Sequence, residues 1–429
     1  MINRRNFYVL ITLGVLLTGI TQTAQSQAAS TSISGNPAAV NSKVGNGALQ
    51  NFIEKKLHIK NDYGVQYGGM LLGDANNLFS GGIPRAKKWT FDDLFLFNIT
   101  LDTEKMGAWK NGLFGLQYLK LYSQQVNRQA GAVEGYNSVI GVSPTSRSEL
   151  YQFWYKHDFF NKKLIVRIGK SLPTIDFGNV IRPVPLSLAK DIPSITGLIY
   201  TPVYINSSQD GVLPGYYNSA YGVTLNFVPV KSWYFNYGVY DGNLARGVQT
   251  GLKILPTLNG SYFHIAETGA NWLLRKNSYP GKLGIGVWHE DGLVSSNNLS
   301  EHNTSGVYFF GSQRLWYKNS ENNFSGISGF FQYGINNSSV LQVNKYVGTG
   351  LTAFGLFPKR IDDSLGVGVS LGWLNKRIFS RATELMFQGY YQAIIMNGLY
   401  LEPAVTYLPT PGASSSAAWA GTLRALLLF

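Results

Sequence analysis

The pentapeptide Gly368-Val369-Ser370-Leu371-Gly372 fits the G-x-S-x-G pattern of serine hydrolases. That chemistry needs a strained strand-to-helix elbow with a histidine in reach of the hydroxyl. Here the pentapeptide lies in an alternating stretch. Val367, Val369 and Leu371 take one face, and Gly366, Gly368 and Ser370 make a small opposite face. An ordinary strand is the reading that follows, and a lipase or protease is the enzyme-class rival. The five histidines, His58, His157, His264, His289 and His302, are scattered without metal-ligand spacing. No carboxylate pair stands beside a nucleophile. Catalytic residues, metal ligands and cofactors are therefore expected to be absent.

Binding chemistry is better represented. The stretch Glu149 to Lys170 reads as two strands around the turn at Phe159–Lys162. In the first strand Tyr151, Phe153 and Tyr155 point one way, and Gln152, Trp154 and Lys156 the other. In the second, Leu164, Val166 and Ile168 oppose Ile165, Arg167 and Gly169. Each strand thus has an apolar face and a mixed, charged face. The same alternation puts Glu267, Asn271 and Arg275 on one face, and it aligns Glu384, Gln388 and Gln392, with Glu402 and Arg424 from later strands. Such a set bonds a sugar well. Aromatic rings stack on its apolar ring face, while Arg, Glu and Gln pair with its hydroxyls. Equally, each of these residues could simply solvate a water-filled pore.

The elements that would position these residues are strands. The chain has 429 residues, with 48 Gly, 24 Phe, 26 Tyr and no Cys. Charged residues make up 14% and mean hydropathy is −0.04, so apolar and polar residues interleave. Past the N-terminus no stretch reaches the roughly 20 apolar residues of a membrane helix. The net charge of +13 comes without a Lys/Arg cluster or stacking motif for nucleic acid. It suits a basic lumen or a lipopolysaccharide-facing rim. Asn3–Asn6 is a positive n-region, Phe7–Ile20 an apolar core, and Ser26-Gln27-Ala28 a small-residue cleavage point, so 1–28 reads as a signal peptide. Residues 29–60 form a polar segment in which Leu49, Phe52, Ile53 and Leu57 space a short amphipathic helix.

From 61 to 429 the pattern predicts about sixteen strands. They fall near 65–72, 93–103, 112–122, 148–158, 163–171, 220–229, 232–241, 262–276, 281–290, 305–318, 323–336, 349–357, 365–375, 382–396, 399–408 and 418–429. Faces cannot be assigned for 112–122 and 305–318. Tight turns at Phe159–Lys162, Val230-Lys231, Asn277–Pro280, Ser320–Asn322 and Asn397-Gly398 alternate with long connections at 123–147, 172–219, 242–261, 291–304 and 337–348. A transmembrane antiparallel β-barrel with short periplasmic turns and long external loops has this rhythm. A soluble two-sheet sandwich seldom runs this long. In the last strand Leu423, Ala425 and Leu427 lie on the lipid side up to the terminal Phe429, opposite Arg424, Leu426 and Leu428. The Pro-rich connection 172–219 follows the strand of Arg167. Its stiffness points to folding into the lumen beside Arg167, Lys156 and Trp154, with Asp176, Arg182, Lys190 and Asp191 in a mixed-charge eyelet. An external lid is the other reading.

Several segments resemble a known family. These are Gly135-Tyr136-Asn137-Ser138-Val139 with Arg147-Ser148-Glu149-Leu150-Tyr151-Gln152, then KLIVRIGKSLPTIDF from Lys163, the Ser305–Lys318 strand, GLFPKRIDDSLGVGVS from Gly355 and LYLEPAVTYLPTPG from Leu399. With IEKKLHIKNDYGVQYGGMLLGDANN near the start, they resemble the carbohydrate-selective, OprB-type porins. The loops, above all 178–219, do not match. The resemblance implies a sixteen-stranded barrel that passes sugars across the outer membrane; monomer and trimer both stay open. Its other partners would be outer-membrane lipid, lipopolysaccharide and the barrel assembly machinery, with no nucleic acid. The expected substrate-contacting, pore-lining set is Gln152, Trp154, Lys156, Arg167, Glu267, Arg275, Glu384, Gln388, Glu402 and Arg424. An anion-preferring or general porin and a non-transport surface adhesin are the alternatives.

Overall fold

The computed structural model describes residues 63–139, 146–178, 197–200, 213–215, 218–230, 232–242, 256, 261–274, 279–296, 298–318, 325–396 and 398–429. Its strands are β1 (Val65–Ser80), β2 (Trp89–Asp102), β3 (Gly112–Ser123), β4 (Ser146–Phe159), β5 (Leu164–Ser171), β6 (Ala220–Val230), β7 (Trp233–Asp241) and β8 (Tyr262–Leu274). They continue as β9 (Tyr279–Ser296), β10 (Leu299–Tyr317), β11 (Gly326–Asn336), β12 (Val343–Phe354), β13 (Ser364–Leu374), β14 (Thr383–Met396), β15 (Leu399–Leu408) and β16 (Ala418–Leu428). Two short helices, α1 (Val126–Ala130) and α2 (Pro173–Asp176), lie in connections. All sixteen expected strands are present. The expected helix near 49–57 and the signal peptide lie outside the described residues.

Each strand pairs antiparallel with its neighbours in sequence, and β1 pairs with β16, so the sheet is a closed barrel. Closure removes the exposed edges that would otherwise recruit other chains. The seam runs from Met70 opposite Leu428 to Ser80 opposite Trp419. Beyond it Gly69 and Phe429 exchange both backbone hydrogen bonds, at 2.7 and 3.1 Å. Gly69 is required there. A Cβ would stand 2.5 Å from the Phe429 ring.

Side chains sort by alternation, and the polarity is inverted relative to a soluble protein. Ile168, Ile285, Val287, Leu351, Val367, Val405 and Leu423 are exposed on the outer face, while Asp74, Arg167, Glu267, Gln332, Glu384 and Arg424 are buried on the inner one. Aromatic residues ring both ends of the outer band, as amphipathic rings do where lipid meets water. Trp109, Phe159, Trp233 and Trp316 lie at the end carrying Phe429, and Phe79, Trp89 and Trp419 at the other.

The Phe429 end has the connections 103–111, 160–163, 231–232, 275–278, 318–325, 355–363 and 397–398. The opposite, loop end has 81–88, 124–145, 172–219, 242–261, 297–298, 337–342, 375–382 and 409–417. The expected long connection 291–304 is not a loop. There β9 and β10 run on as a paired hairpin, Ser296 opposite Leu299, with one register shift near Asn303. Glu301 fixes this hairpin by accepting bonds from Thr304, Ser338 and Ser339. A second departure is at Tyr151. Gln117 pairs with Gln152 and Tyr118 with Leu150, so Tyr151 is an extra residue in β4. This bulge turns Tyr151 inward, 3% exposed, rather than outward with Phe153 and Tyr155.

Candidate functional site: the inner wall of the barrel

The two strands without an assigned face explain themselves here. On β3 the inner face carries Gln117, Leu119, Leu121 and Ser123. Leu119 and Leu121 join Leu72, Leu94, Val139, Tyr151, Leu172 and Leu426 in an apolar cluster inside the barrel. On β10 the inner face carries Tyr308, Phe310, Ser312 and Arg314. Apolar residues therefore stand on both sides of these strands, and a polar-in rule cannot phase them.

The β4–β5 wall brings together most of the expected set. Arg167 pairs with Asp176 of α2, and its guanidinium lies 5.6 Å from the Trp154 ring centre. Asn236 donates to the Asp176 carbonyl at 3.0 Å, which ties α2 to β7. Lys156 is 3.4 Å from Asp158. Gln152 donates to Gln117, which donates to Asn98, a run of amides across β4, β3 and β2. Higher on the wall Arg147 pairs with Glu149 at 2.6 Å, and buried Lys170 lies 3.9 Å from the same carboxylate. The start of connection 172–219, through Asp176, thus lies inside the barrel beside Arg167 and Trp154. Arg182, Lys190 and Asp191 fall outside the described residues, as does Arg275.

Across the lumen, Glu267 accepts bonds from the Gly178 amide at 2.6 Å and from the Tyr234 and Tyr308 hydroxyls, each at 2.8 Å. Glu402 accepts from Gln392 at 2.6 Å. Arg424 grips Asp74 with two bonds, at 2.9 and 2.8 Å, across the β1–β16 seam. Asn137, from the connection 124–145, bonds Asp74, Asn76 and Arg424. On β14, Glu384 accepts the amides of Val133, Glu134 and Gly412. Gln388 accepts those of Ile199 and Tyr200 and donates to the Tyr136 carbonyl. Ser138 donates its amide to the Ile199 carbonyl at 2.7 Å. Two inward-folded segments, around 131–139 and 197–200, therefore meet inside the barrel and hang from its wall.

These contacts engage several of the expected residues. At Glu267, Glu384 and Gln388 a backbone amide from an inward-folded connection bonds a side-chain oxygen. These three side chains hold the inner segments. A second class of residue escaped the polar list altogether. Tyr240, Phe263, Trp288, Tyr308, Phe310, Tyr346 and Tyr390 are all buried on the inner wall. Tyr308 stacks with Phe310 at 6.3 Å, and Lys282 lies 4.9 Å from the Tyr234 ring. The same alternation that placed Glu267 places Phe263 and Ile265, so the signal was present. It is masked because aromatic residues also furnish the outer band.

Ser370 is on the inner face of an unbroken strand and donates to Glu134 at 2.6 Å. The flanking glycines have a packing role. A Cβ at Gly368 would meet Leu198 at 2.4 Å, and one at Gly372 would meet Glu134 at 2.3 Å. The pentapeptide is the seat of the two inner segments, not a hydrolase elbow.

The family comparison decides the class. The family model of the carbohydrate-selective porin, OprB family, matches residues 87–429. The chain belongs to the carbohydrate-selective OprB porin family. Porin B of Pseudomonas aeruginosa is 21% identical over 403 residues, covering 82% of this chain and 83% of that one. The high-pH structure of Pseudomonas putida OprB superposes with a TM-score of 0.73 at 17% identity, over 89% of this chain and 96% of the other. The low-pH structure of the same protein gives 0.55 at 16% identity, over 89% and 98%. This OprB-family protein is an outer-membrane porin for carbohydrate uptake. Fold and family point to a channel rather than an enzyme.

In this porin the histidines are less scattered than their spacing implied. His264 and His289 are cross-strand neighbours on the outer face of β8 and β9. Asp291 joins them, 3.3 Å from one imidazole and 2.8 Å from the other. Tyr237 and Ser305 bond their remaining ring nitrogens. The donors satisfy one another, and among the described residues no group of three such side chains is arranged to hold a metal ion.

Proposed function

We propose that small carbohydrates diffuse through the lumen past the inward segments around 131–139 and 197–200, touching Trp154, Lys156, Arg167 and Gln152 on the β3–β5 wall. On this reading Glu267, Glu384, Gln388, Glu402, Arg424 and Arg275 support or extend that path, and the protein makes and breaks no covalent bond. The observation that carries it is the pairing of Trp154 with the Arg167–Asp176 ion pair on one wall. A ring face and a mixed-sign polar group side by side match the two surfaces of a sugar. Weak, exchangeable contacts of this kind favour entry without trapping the cargo.

The anion-preferring reading draws on the net charge of +13. Against it, Arg147, Arg167 and Arg424 are each matched to a carboxylate, namely Glu149, Asp176 and Asp74. Matched pairs give little net field along the path.

Planar-bilayer conductance with graded sugar block tests the assignment. Trp154→Ala should weaken block by glucose or a short oligosaccharide severalfold, since one stacking contact is worth about 1 kcal/mol. It should leave the reversal potential in a salt gradient nearly unchanged. A wild-type channel with no sugar block and strong anion selectivity would retire the carbohydrate path. On the same reading the Phe429 end faces the periplasm. The outer band meets lipid and lipopolysaccharide, and the assembly machinery inserts the barrel.

A further inference from the structure

On β13 and β14 the inner wall holds loop backbone instead of facing open lumen. Glu384 is fully buried and Gln388 is 3% exposed. They lie four residues apart on one strand face, so their side chains form two rungs above each other. The upper rung takes three amides. Val133 and Glu134 come from the connection between β3 and β4, and Gly412 from that between β15 and β16. The lower rung takes Ile199 and Tyr200 from the connection between β5 and β6, and it returns a bond to Tyr136 at 2.9 Å and to Thr406 at 2.8 Å. Three connections far apart in sequence are thus fastened to two side chains. Gly368 and Gly372 on β13 leave the space that Leu198 and Glu134 fill.

We propose that Glu384 and Gln388 are positioning residues that set the bore of the channel by fastening the inner segments, with the buried Glu134, bonded to Glu384 through its amide and to Ser370 through its carboxyl, as part of the fastening. This rests on the porin reading. It differs from that reading in assigning these two residues no contact with sugar. The groups that face Glu134 are Glu384 on β14, Ser370 on β13 and Tyr200 on the neighbouring segment, and Arg381 on the β13–β14 connection faces Glu384. Burial first, and the Glu384 charge second, push the Glu134 carboxyl well above the usual carboxylate range. A protonated Glu134 sits against Glu384 without repulsion. Ionisation puts two like charges in one dry pocket, which neither tolerates.

The test is single-channel conductance of the full porin in planar bilayers, with correct folding checked by the gel-mobility shift of the unheated barrel. Gln388→Ala and Glu384→Ala should each raise conductance and weaken sugar block severalfold, and the double variant should add little beyond either. Glu384→Gln, which keeps one acceptor oxygen, should fall between. Raising the pH should widen the wild-type channel reversibly, and Glu134→Gln should abolish that response while leaving the narrow state at all pH values. Folded variants with wild-type conductance and wild-type sugar block would overturn the proposal. So would an alkaline response that survives in Glu134→Gln. If the wild type shows no sugar block while the conductance changes appear as stated, the positioning role stands and only the carbohydrate path fails.

Discussion

At the residue scale, the most informative side chains are those whose polar atoms are spent on backbone. A buried carboxyl group must find partners for its oxygens, and Glu384 finds three amides. Glu134 finds the Ser370 hydroxyl, the Gly372 amide and a carboxylate neighbour, and burial together with that neighbour raises its pKa well above the usual carboxylate range. The sign of its pH dependence follows from linkage. Its folded value is raised, so its contribution is complete below the ordinary carboxylate range and is lost as pH rises through the raised value. Protease protection of the connection 124–145 should therefore decline with rising pH, and Glu134→Gln should flatten that profile. An unchanged slope in the variant would place the titration elsewhere. Gly368→Val supplies a steric counterpart. The added methyl groups meet Leu198, and overpacking of this kind costs about 1–3 kcal/mol locally. The barrel should still assemble while sugar block weakens, measured in the same bilayer.

At the element scale, the strands obey one rule, that the outer face is apolar and the inner face is whatever the loops require. Val367 is 57% exposed on the outer face of β13, one residue from the inward seat at Gly368. Val367→Lys should destabilise the barrel by about 2–4 kcal/mol if the position lies near the bilayer midplane, read from urea unfolding in lipid vesicles. The seam between β1 and β16 makes a second demand. Phe429 stacks on Phe95 at 6.2 Å and bonds Gly69 twice. Deleting Phe429, or placing valine at Gly69, should leave the chain in the periplasm or degraded. Normal outer-membrane levels of either variant, quantified by fractionation, would remove the seam from the assembly signal.

At the scale of the whole molecule, sixteen strands bring the start of β1 and the end of β16 to one side, and the connections divide by end. We propose that the Phe429 end is periplasmic and that 172–219 enters from outside. Cysteines at Asn161, in the β4–β5 turn, and at Asn206 give the check. Only Asn206→Cys should label on intact cells with a reagent that cannot cross the membrane, and label at Asn161→Cys alone would invert the orientation. The charge pattern also reads at this scale. The +13 excess does not appear as bare guanidinium along the β4–β5 wall, because Glu149 and Asp176 are placed against it.

By itself the sequence determined the strands, their number and most of their phases, because a residue's face follows from simple alternation and the lipid imposes one polarity on every outward position. Val367, Leu423, Arg167, Glu384 and Arg424 stand where counting by twos puts them. Counting fails where the backbone adds a residue, as at Tyr151, or where a loop continues the pairing, as in the hairpin near 297–298. Tertiary structure alone decided the interior. Alternation says that Glu384 and Gln388 point inward. It cannot say that amides from residues roughly 190 to 250 positions earlier will reach them first. That choice is made by closure of the barrel, which confines the inward-folded connections in one space where every buried amide must find an acceptor.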